Sequence, residues 1–144
     1  MPETEDLGRW GEELIAQWIP LKGGQVVAQR WHCTLGELDL VALNSAGDLI
    51  FIEVKTRSAR NIDQDGVLSI TRSKQIKLWK TAQMFLLKHP IHRDRNCRFD
   101  IALVQCQPLR AFKNKRPSGF TRTFEEHEFI LINYLVHAFE QPKC

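Results

Sequence analysis

Two short segments of this chain place ionisable side chains at alternating positions of otherwise apolar runs. They are GELDLV at 36–41 and IFIEVKTR at 50–57. A period of two puts Glu37 and Asp39 on one face of a strand, and Glu53 and Lys55 on one face of another. A carboxylate taken out of water needs a metal ion, a cation or hydrogen-bond donors. These side chains are therefore candidates for chemistry.

The segment between the two runs predicts how they pair. NSAGD at 44–48 is turn-forming, so we expect an antiparallel hairpin with a five-residue loop. Pairing of Leu43 with Leu49 fixes the register of the whole hairpin. A slip by one residue would send side chains to the opposite face, so the register is a specific prediction.

This register brings the four ionisable groups together. Asp39 lies opposite Glu53, and Glu37 lies opposite Lys55, with opposed Cβ atoms about 4.5–5.5 Å apart. Two facing carboxylates repel each other, and a divalent cation between them removes the repulsion. The alternative is a cross-strand salt-bridge ladder on a solvated sheet face. That alternative predicts polar neighbours, whereas the neighbours are apolar: Val41, Leu43, Leu49 and Phe51.

Composition sets the broad class. A chain of 144 residues without internal repeats suits one domain, 1–144. Its four cysteines form no CxxC motif, which favours a reducing cytoplasmic setting. The acidic N-terminus lacks the pattern of a secretion signal, and no apolar run approaches the ~20 residues of a membrane span. We expect a soluble protein that does not bind membranes.

The charge distribution is uneven although the net charge is only +3. Residues 93–123 carry eight Arg and Lys side chains against two Asp. A basic stretch of this kind can neutralise phosphates, or it can be a solvated loop. We interpret 107–123, which lacks clear periodicity, as a basic loop or insertion.

Periodicity and turn signals predict an α/β protein with the order α-β-β-β-α-β-β-α. The predicted elements are a helix at 5–19, strands at 25–33, 36–43 and 49–56, a helix from Ser69 or Ser73 to Lys88 with a Ser cap, strands at 98–105 and 128–132, and a short C-terminal helix ending near Phe139. We expect a sandwich with a mixed sheet of about five strands flanked by helices. Gly8 and Gly11 weaken the first helix and would allow close approach of another segment.

Asp39, the Glu53-Val54-Lys55 tripeptide and Glu12 in the upstream helix resemble the PD-(D/E)xK nuclease superfamily, which has the restriction-endonuclease-like core. Further motifs resemble, in order, the YraN-like family, uncharacterised protein family 0102, of predicted endonucleases. They are GEEL at 11–14, GELDL at 36–40, FIEVKTR at 51–57, Lys74-Gln75, RFD at 98–100 and Ala138-Phe139. The resemblance covers about residues 8 to 139. Departures from the family pattern, at Ile15, Arg30 and His32, lie beside the site.

The resemblance implies a catalytic centre for phosphodiester hydrolysis. Asp39, Glu53 and the backbone carbonyl of Val54 would bind Mg²⁺, with Mn²⁺ as a substitute. Lys55 would orient the attacking water or stabilise the oxyanion. The two other acids are Glu12, which would act through water or a second metal, and Glu37, an accessory ligand or the partner of Lys55.

The expected partner is nucleic acid, in the first place DNA, including branched or damaged DNA. Five side chains are candidates to contact it: Arg30, Arg57, Arg60, Lys74 and Gln75. Cutting both strands would need two active sites, so a homodimer is one expected assembly. The competing hypothesis is a nucleic-acid-binding or scaffold protein that retains the fold and cleaves nothing. Histidine and cysteine spacing matches no standard zinc pattern, and Asp100 is expected to bind a backbone or arginine partner.

Overall fold

The computed structural model describes residues 4–58, 70–109 and 119–141. Its helices are α1 (Thr4–Leu21) and α2 (Arg72–Lys88), with a 3₁₀ turn at Pro90–His92. Its strands are β1 (Gln25–Cys33), β2 (Gly36–Leu43), β3 (Leu49–Ser58), β4 (Cys97–Pro108), β5 (Thr121–Phe124) and β6 (His127–Phe139). Within the described ranges, no helix has both the length and the apolar character needed to cross a bilayer.

The strands form one mixed sheet in the order β1-β2-β3-β4-β6-β5. Strands β3 and β4 are parallel because α2 lies in the crossover between them, and the other neighbours are antiparallel. The helices cover opposite faces of this sheet. The predicted α/β sandwich with a mixed sheet flanked by helices is confirmed, and it is consistent with a restriction-endonuclease-like fold.

Two apolar cores lie on the two faces of the sheet. On the α1 face, Leu14 and Ile19 pack against side chains such as Ile50 and Ile52 of β3. On the α2 face, Phe85 packs against Phe51 and other aromatic rings. The adjacent positions 50, 51 and 52 therefore alternate between the two cores, which fixes which face each later residue of β3 presents.

The hairpin register predicted from the loop is confirmed. The recorded pairs run from Leu43↔Leu49 to Leu40↔Ile52. The side chain of Asn44 orders the turn, because its Oδ1 accepts hydrogen bonds from the Asp48 N–H (2.8 Å) and from the Ala46 N–H (3.0 Å). The loop thus closes on itself and holds the two strands in one alignment.

The elements differ from the prediction in three details. The sheet has six strands where about five were expected, because Thr121–Phe124, which begins in the segment assigned to a loop, pairs with β6. No C-terminal helix forms up to Phe139, since β6 continues to that residue. Helix α2 is capped by Thr71, whose Oγ1 accepts from the Lys74 N–H, rather than by a serine. Residues 59–69 and 110–118, including Ser69 and half of the eight Arg and Lys side chains of 93–123, lie outside the described residues.

Asp100 of β4 adds side-chain hydrogen bonds to the last strand of the sheet. Its fully buried carboxylate accepts hydrogen bonds from Arg98 (3.1 Å), from the Tyr134 hydroxyl (2.6 Å) and from the His137 N–H (3.0 Å). Burial, followed by the hydrogen bond to Asp100, raises the pKa of Tyr134. The prediction that Asp100 binds an arginine or backbone partner is confirmed.

Gly11 allows α1 to approach β3 closely, and we predict that Gly11→Ala destabilises the protein. A Cβ at Gly11 would fall on Thr56 Oγ1, whereas a Cβ at Gly8 would meet nothing within 4 Å. Overpacking should lower the free energy of unfolding by about 1–3 kcal/mol for Gly11→Ala. The control, Gly8→Ala, should be neutral or stabilising by up to about 1 kcal/mol. Urea unfolding checks this, and equal effects at both positions would contradict it.

Candidate active site

Strands β2 and β3 stop pairing regularly at Asp39. After the Leu40↔Ile52 pair, the Asp39 Oδ2 atom accepts the Val54 N–H at 2.8 Å. Leu38 packs in the core beside α2, whereas Leu40 packs in the core beside α1. A regular strand would place both on one face, so the alternation shifts at Asp39. This shift turns the Asp39 carboxyl towards β3.

The Asp39 and Glu53 carboxyls are in hydrogen-bonding contact. Burial is the main cause that raises the pKa of Asp39 well above its usual value, and the charge of Glu53 raises it further. The Val54 N–H acts in the opposite direction. Two carboxyls this close share a proton or a cation, because two negative charges cannot be held together without one. The predicted convergence of these two acids is therefore present.

Glu12 reaches the same region from α1. Its residue is only 8% exposed, and burial raises its pKa from 4.5 to about 8. The charges of Asp39 and Glu37 act in the same direction, whereas Arg30 lowers the pKa. Glu12 thus lies near Asp39, and it is mostly protonated at neutral pH.

Two lysines lie beside the Asp39–Glu53 pair. Lys74, in the first turn of α2, places its Nζ 3.5 Å from Glu53 Oε1. Lys55 follows Glu53 on the same face of β3, and burial lowers its pKa, as do the nearby charges of Arg57 and Lys74. Glu53 acts in the opposite direction on Lys55. The site therefore combines close acids with close cations, as a centre that handles a phosphate requires.

Glu37 lies near Arg30 of the neighbouring strand β1. Its Oε1 atom lies 3.9 Å from Arg30 Nε, and the same nitrogen lies 3.6 Å from Glu12 Oε1. Arg30, predicted to contact nucleic acid, is thus held by two acids of its own chain. The Glu37 side chain is half exposed, and its role as an accessory ligand or as the partner of Lys55 stays a prediction.

An open cleft of about 490 Å³ lies between the acids and α2. Its lining comprises Gly36, Glu37, Asp39, Glu53, Thr71, Ser73, Lys74, Lys77, Leu78 and Thr81. The sequence interpretation did not place Lys77 here. Its spacing of three residues from Lys74 is the signal that could have done so, since i and i+3 share a helix face.

The other side chains predicted to contact nucleic acid do not line this cleft in the part of the chain that the structure describes. The Gln75 amide donates to the Ile70 carbonyl at 2.8 Å, so it closes the start of α2. Arg57 is exposed and donates to the Thr56 carbonyl at 2.9 Å. Arg60 lies outside the described residues.

The donor set fits a hard divalent cation. Mg²⁺ takes one or two carboxylates and keeps several waters. Asp39 and Glu53 supply two, and their contact leaves a negative charge that a cation would neutralise. Among the residues that the structure describes, no group of three or more His, Cys, Asp and Glu side chains has metal-binding geometry.

A second cavity, of about 260 Å³, lies on the α1 face. Trp18, Ile52 and Tyr134 line it together with other mainly apolar residues, and no carboxylate is among them. It lacks the carboxylates that would hold a hard divalent cation. We therefore place the chemistry in the cleft beside α2.

The model of the family described as Uncharacterised protein family UPF0102 matches residues 11–104. The chain belongs to UPF0102. Relatives in that family include UPF0102 proteins of Trichodesmium erythraeum, 49% identical over 93% of this chain and 88% of the relative, and of Acaryochloris marina, 48% identical over 92% and 89%. A third, from Synechocystis, is 46% identical over 71% of this chain and 69% of its own. The matched UPF0102 region spans the site from Glu12 to Lys77 and ends within β4.

From the raised pKa of Glu12 we predict that the free energy of unfolding of the metal-free UPF0102 chain falls as the pH rises. Its pKa is about 8 in the folded protein and near 4.5 when exposed. The folded state therefore keeps a proton that the unfolded chain loses. The stabilising contribution of this proton to folding is fully present below about pH 4.5 and is lost as the pH rises through about 8. The raised pKa of Asp39 has the same sign. Urea unfolding should show a loss on the order of a few kcal/mol between about pH 5 and about pH 8.5.

The neighbouring acid provides the control for this pH dependence. Glu12→Gln should reduce the slope of unfolding free energy against pH, because the substituted amide does not titrate. Glu13 accepts from the Gln17 amide on the exposed side of α1, so Glu13→Gln should leave the slope unchanged. A slope that Glu12→Gln does not alter would contradict the assignment.

Proposed function

We propose that this UPF0102 protein is a metal-dependent endonuclease that hydrolyses phosphodiester bonds in DNA. The contact between the Asp39 and Glu53 carboxyls carries the proposal, since such a pair is unfavourable without a cation. Lys55 and Lys74 support it, because they place positive charge beside the same acids. Branched or damaged DNA belongs among the substrates to be tested.

Asp39 and Glu53 would hold Mg²⁺, or Mn²⁺ in its place, together with the backbone carbonyl of Val54. The bound ion supplies a positive charge that activates water and offsets charge developing on the phosphate. The Val54 N–H fixes the orientation of the Asp39 carboxylate at 2.8 Å. Glu12 would exchange protons beside this pair, and its pKa of about 8 suits such an exchange slightly above neutral pH.

The lysines would act on the substrate. Lys55 is partly removed from water, and its lowered pKa brings its amine closer to exchanging a proton, while its charged form stabilises an oxyanion. On the opposite wall of the cleft, Lys74 and Lys77 lie three residues apart on α2 and face the acids. They would neutralise the phosphates of a strand that enters the cleft.

Two further parts of the proposal concern the setting. A double-strand cut needs two active sites, so the active form in that case would be a homodimer.

The cytoplasm is the compartment we propose. Its reducing conditions would keep Cys33, Cys97 and Cys106 as thiols, as they are in the structure.

Replacing either metal-binding acid should abolish cleavage without unfolding the protein. We expect Asp39→Asn and Glu53→Gln to lower the cleavage rate at least about 100-fold, the usual scale for losing one electrostatic contact at a reacting centre. Both should be as stable as wild type without metal, because the carboxyl contact is relieved. The assay uses labelled single-stranded, duplex and four-way-junction DNA with Mg²⁺, Mn²⁺ or EDTA.

The matched control is Asp48→Asn, a carboxylate of the hairpin loop outside the cleft. It should cleave like wild type. Cleavage that persists in EDTA or in Glu53→Gln would contradict the mechanism. Tight DNA binding with no cleavage under any metal would instead support the non-cleaving scaffold.

Lys55 should affect turnover more than binding. We expect Lys55→Met to lower kcat by about 10²–10³-fold, because its charge acts on the reacting phosphate, with little change in the affinity for Mn²⁺. Lys80→Met, an exposed lysine of α2, is the control and should leave kcat unchanged. Equal losses in both variants would indicate a general effect of surface charge.

A further inference from the structure

Arg30 occupies a distorted position directly across from Asp39. Residues Gln29 and Trp31 of β1 pair with Leu40 and Leu38 of β2, so Arg30 lies opposite Asp39 in the register of the two strands. Its φ is +50°, in the left-handed region that a residue with a Cβ adopts rarely. Strand β1 is therefore irregular at the same level at which the alternation of β2 shifts. Such strain persists where the surrounding structure holds it, and it concentrates at functional sites.

The side chain of Arg30 stands between two acids of different elements. Its Nε lies 3.6 Å from Glu12 Oε1 on α1 and 3.9 Å from Glu37 Oε1 on β2. Glu12 is more than nine-tenths buried, and its Oε1 has no hydrogen-bond partner among the described residues. Arg30 thus supplies charge to a buried oxygen without satisfying it by a hydrogen bond.

Both acids lie within electrostatic reach of Asp39. Asp39 therefore has two kinds of acidic neighbour. Glu53 is in direct contact with it, whereas Glu12 and Glu37 lie around a guanidinium. Two carboxylates around one cation are the charge arrangement of a divalent-ion site.

We propose that the Arg30 guanidinium takes the place of a second divalent ion, so that each chain binds a single Mg²⁺, between Asp39 and Glu53. Arg30 is then a positioning residue, which keeps Glu12 and Glu37 neutralised and fixed beside the metal-binding pair. This inference rests on the proposed function and adds the number of ions to it. It also replaces the predicted role of Arg30 in contacting nucleic acid.

The charges favour this reading over a DNA contact. The cations that line the cleft are Lys74 and Lys77 on α2, whereas Arg30 is absent from the cleft lining. Its partners are acids of its own chain, and about two thirds of its side chain is covered. A guanidinium engaged in this way has little charge to offer a phosphate.

Counting bound ions tests the inference without any need for cleavage. The probe is Mn²⁺ alone, added to metal-free protein and measured by electron paramagnetic resonance and calorimetry. Wild type should bind one Mn²⁺ per chain, and Asp39→Asn should lose it. Arg30→Asn and Arg30→Gly should bind two, because both residues adopt the left-handed backbone readily and neither supplies a cation.

Two variants separate charge from structure. Arg30→Lys keeps the positive charge and should stay at one ion. Glu12→Gln added to Arg30→Asn should return the count from two to one, because the second ion requires Glu12. Arg93→Asn, which removes a highly exposed arginine, is the control and should bind one ion.

The outcomes distinguish this inference from the proposed function. Two ions in wild type, or one ion in both Arg30→Asn and Arg30→Gly, would overturn the role of Arg30 and leave the nuclease proposal intact. No bound ion in wild type would overturn both. Weaker DNA binding by Arg30→Lys, Arg30→Asn and Arg30→Gly alike, with the ion count fixed at one, would return Arg30 to the nucleic-acid interface.

Discussion

The hydrogen-bonding contact between the Asp39 and Glu53 carboxyls is the constraint on which the arrangement of the site depends. It forms because β2 stops pairing with β3 after Leu40↔Ile52, and the Asp39 side chain takes over the Val54 N–H. The loop at 44–48 sets the register that brings the two acids to the same level. The contact raises the free energy of the metal-free fold, and it gives a cation a pair of ligands already in place.

The two helices bring further charged side chains to this pair, an acid from α1 and lysines from α2. Helix α1 carries the acid Glu12, and Gly11 beside it permits the close approach to β3. Helix α2 carries Lys74 and Lys77, so the wall opposite the acids is basic. Acids and lysines thus face each other across one cleft. Under the proposed function the acids would hold a cation and the lysines would hold phosphate, a separation of charge that suits a phosphodiester substrate.

Much of this arrangement could be predicted from sequence, because short turns and alternation are local signals. The length of the loop predicted the register of the hairpin, and this register predicted that Asp39 lies close to Glu53. The ion pair of Glu37 with Arg30 could not be predicted, since Arg30 has a left-handed backbone that no local pattern indicates. Strand β6 was missed beyond its first half: its register shifts against β4 disrupt the period of two, and its second half contacts Asp100, which lies far away in sequence. Long-range pairing of this kind leaves no local pattern.

The central claim is that the Asp39–Glu53 pair is a cation site. Anomalous diffraction from crystals of the protein soaked in Mn²⁺ tests it most directly, because the scattering locates the metal independently of any activity. The account predicts one strong peak within about 2.0–2.4 Å of oxygens of both carboxylates, a coordination distance for a hard divalent ion. An empty pair, with the two carboxyls still in contact and the manganese elsewhere, would contradict it.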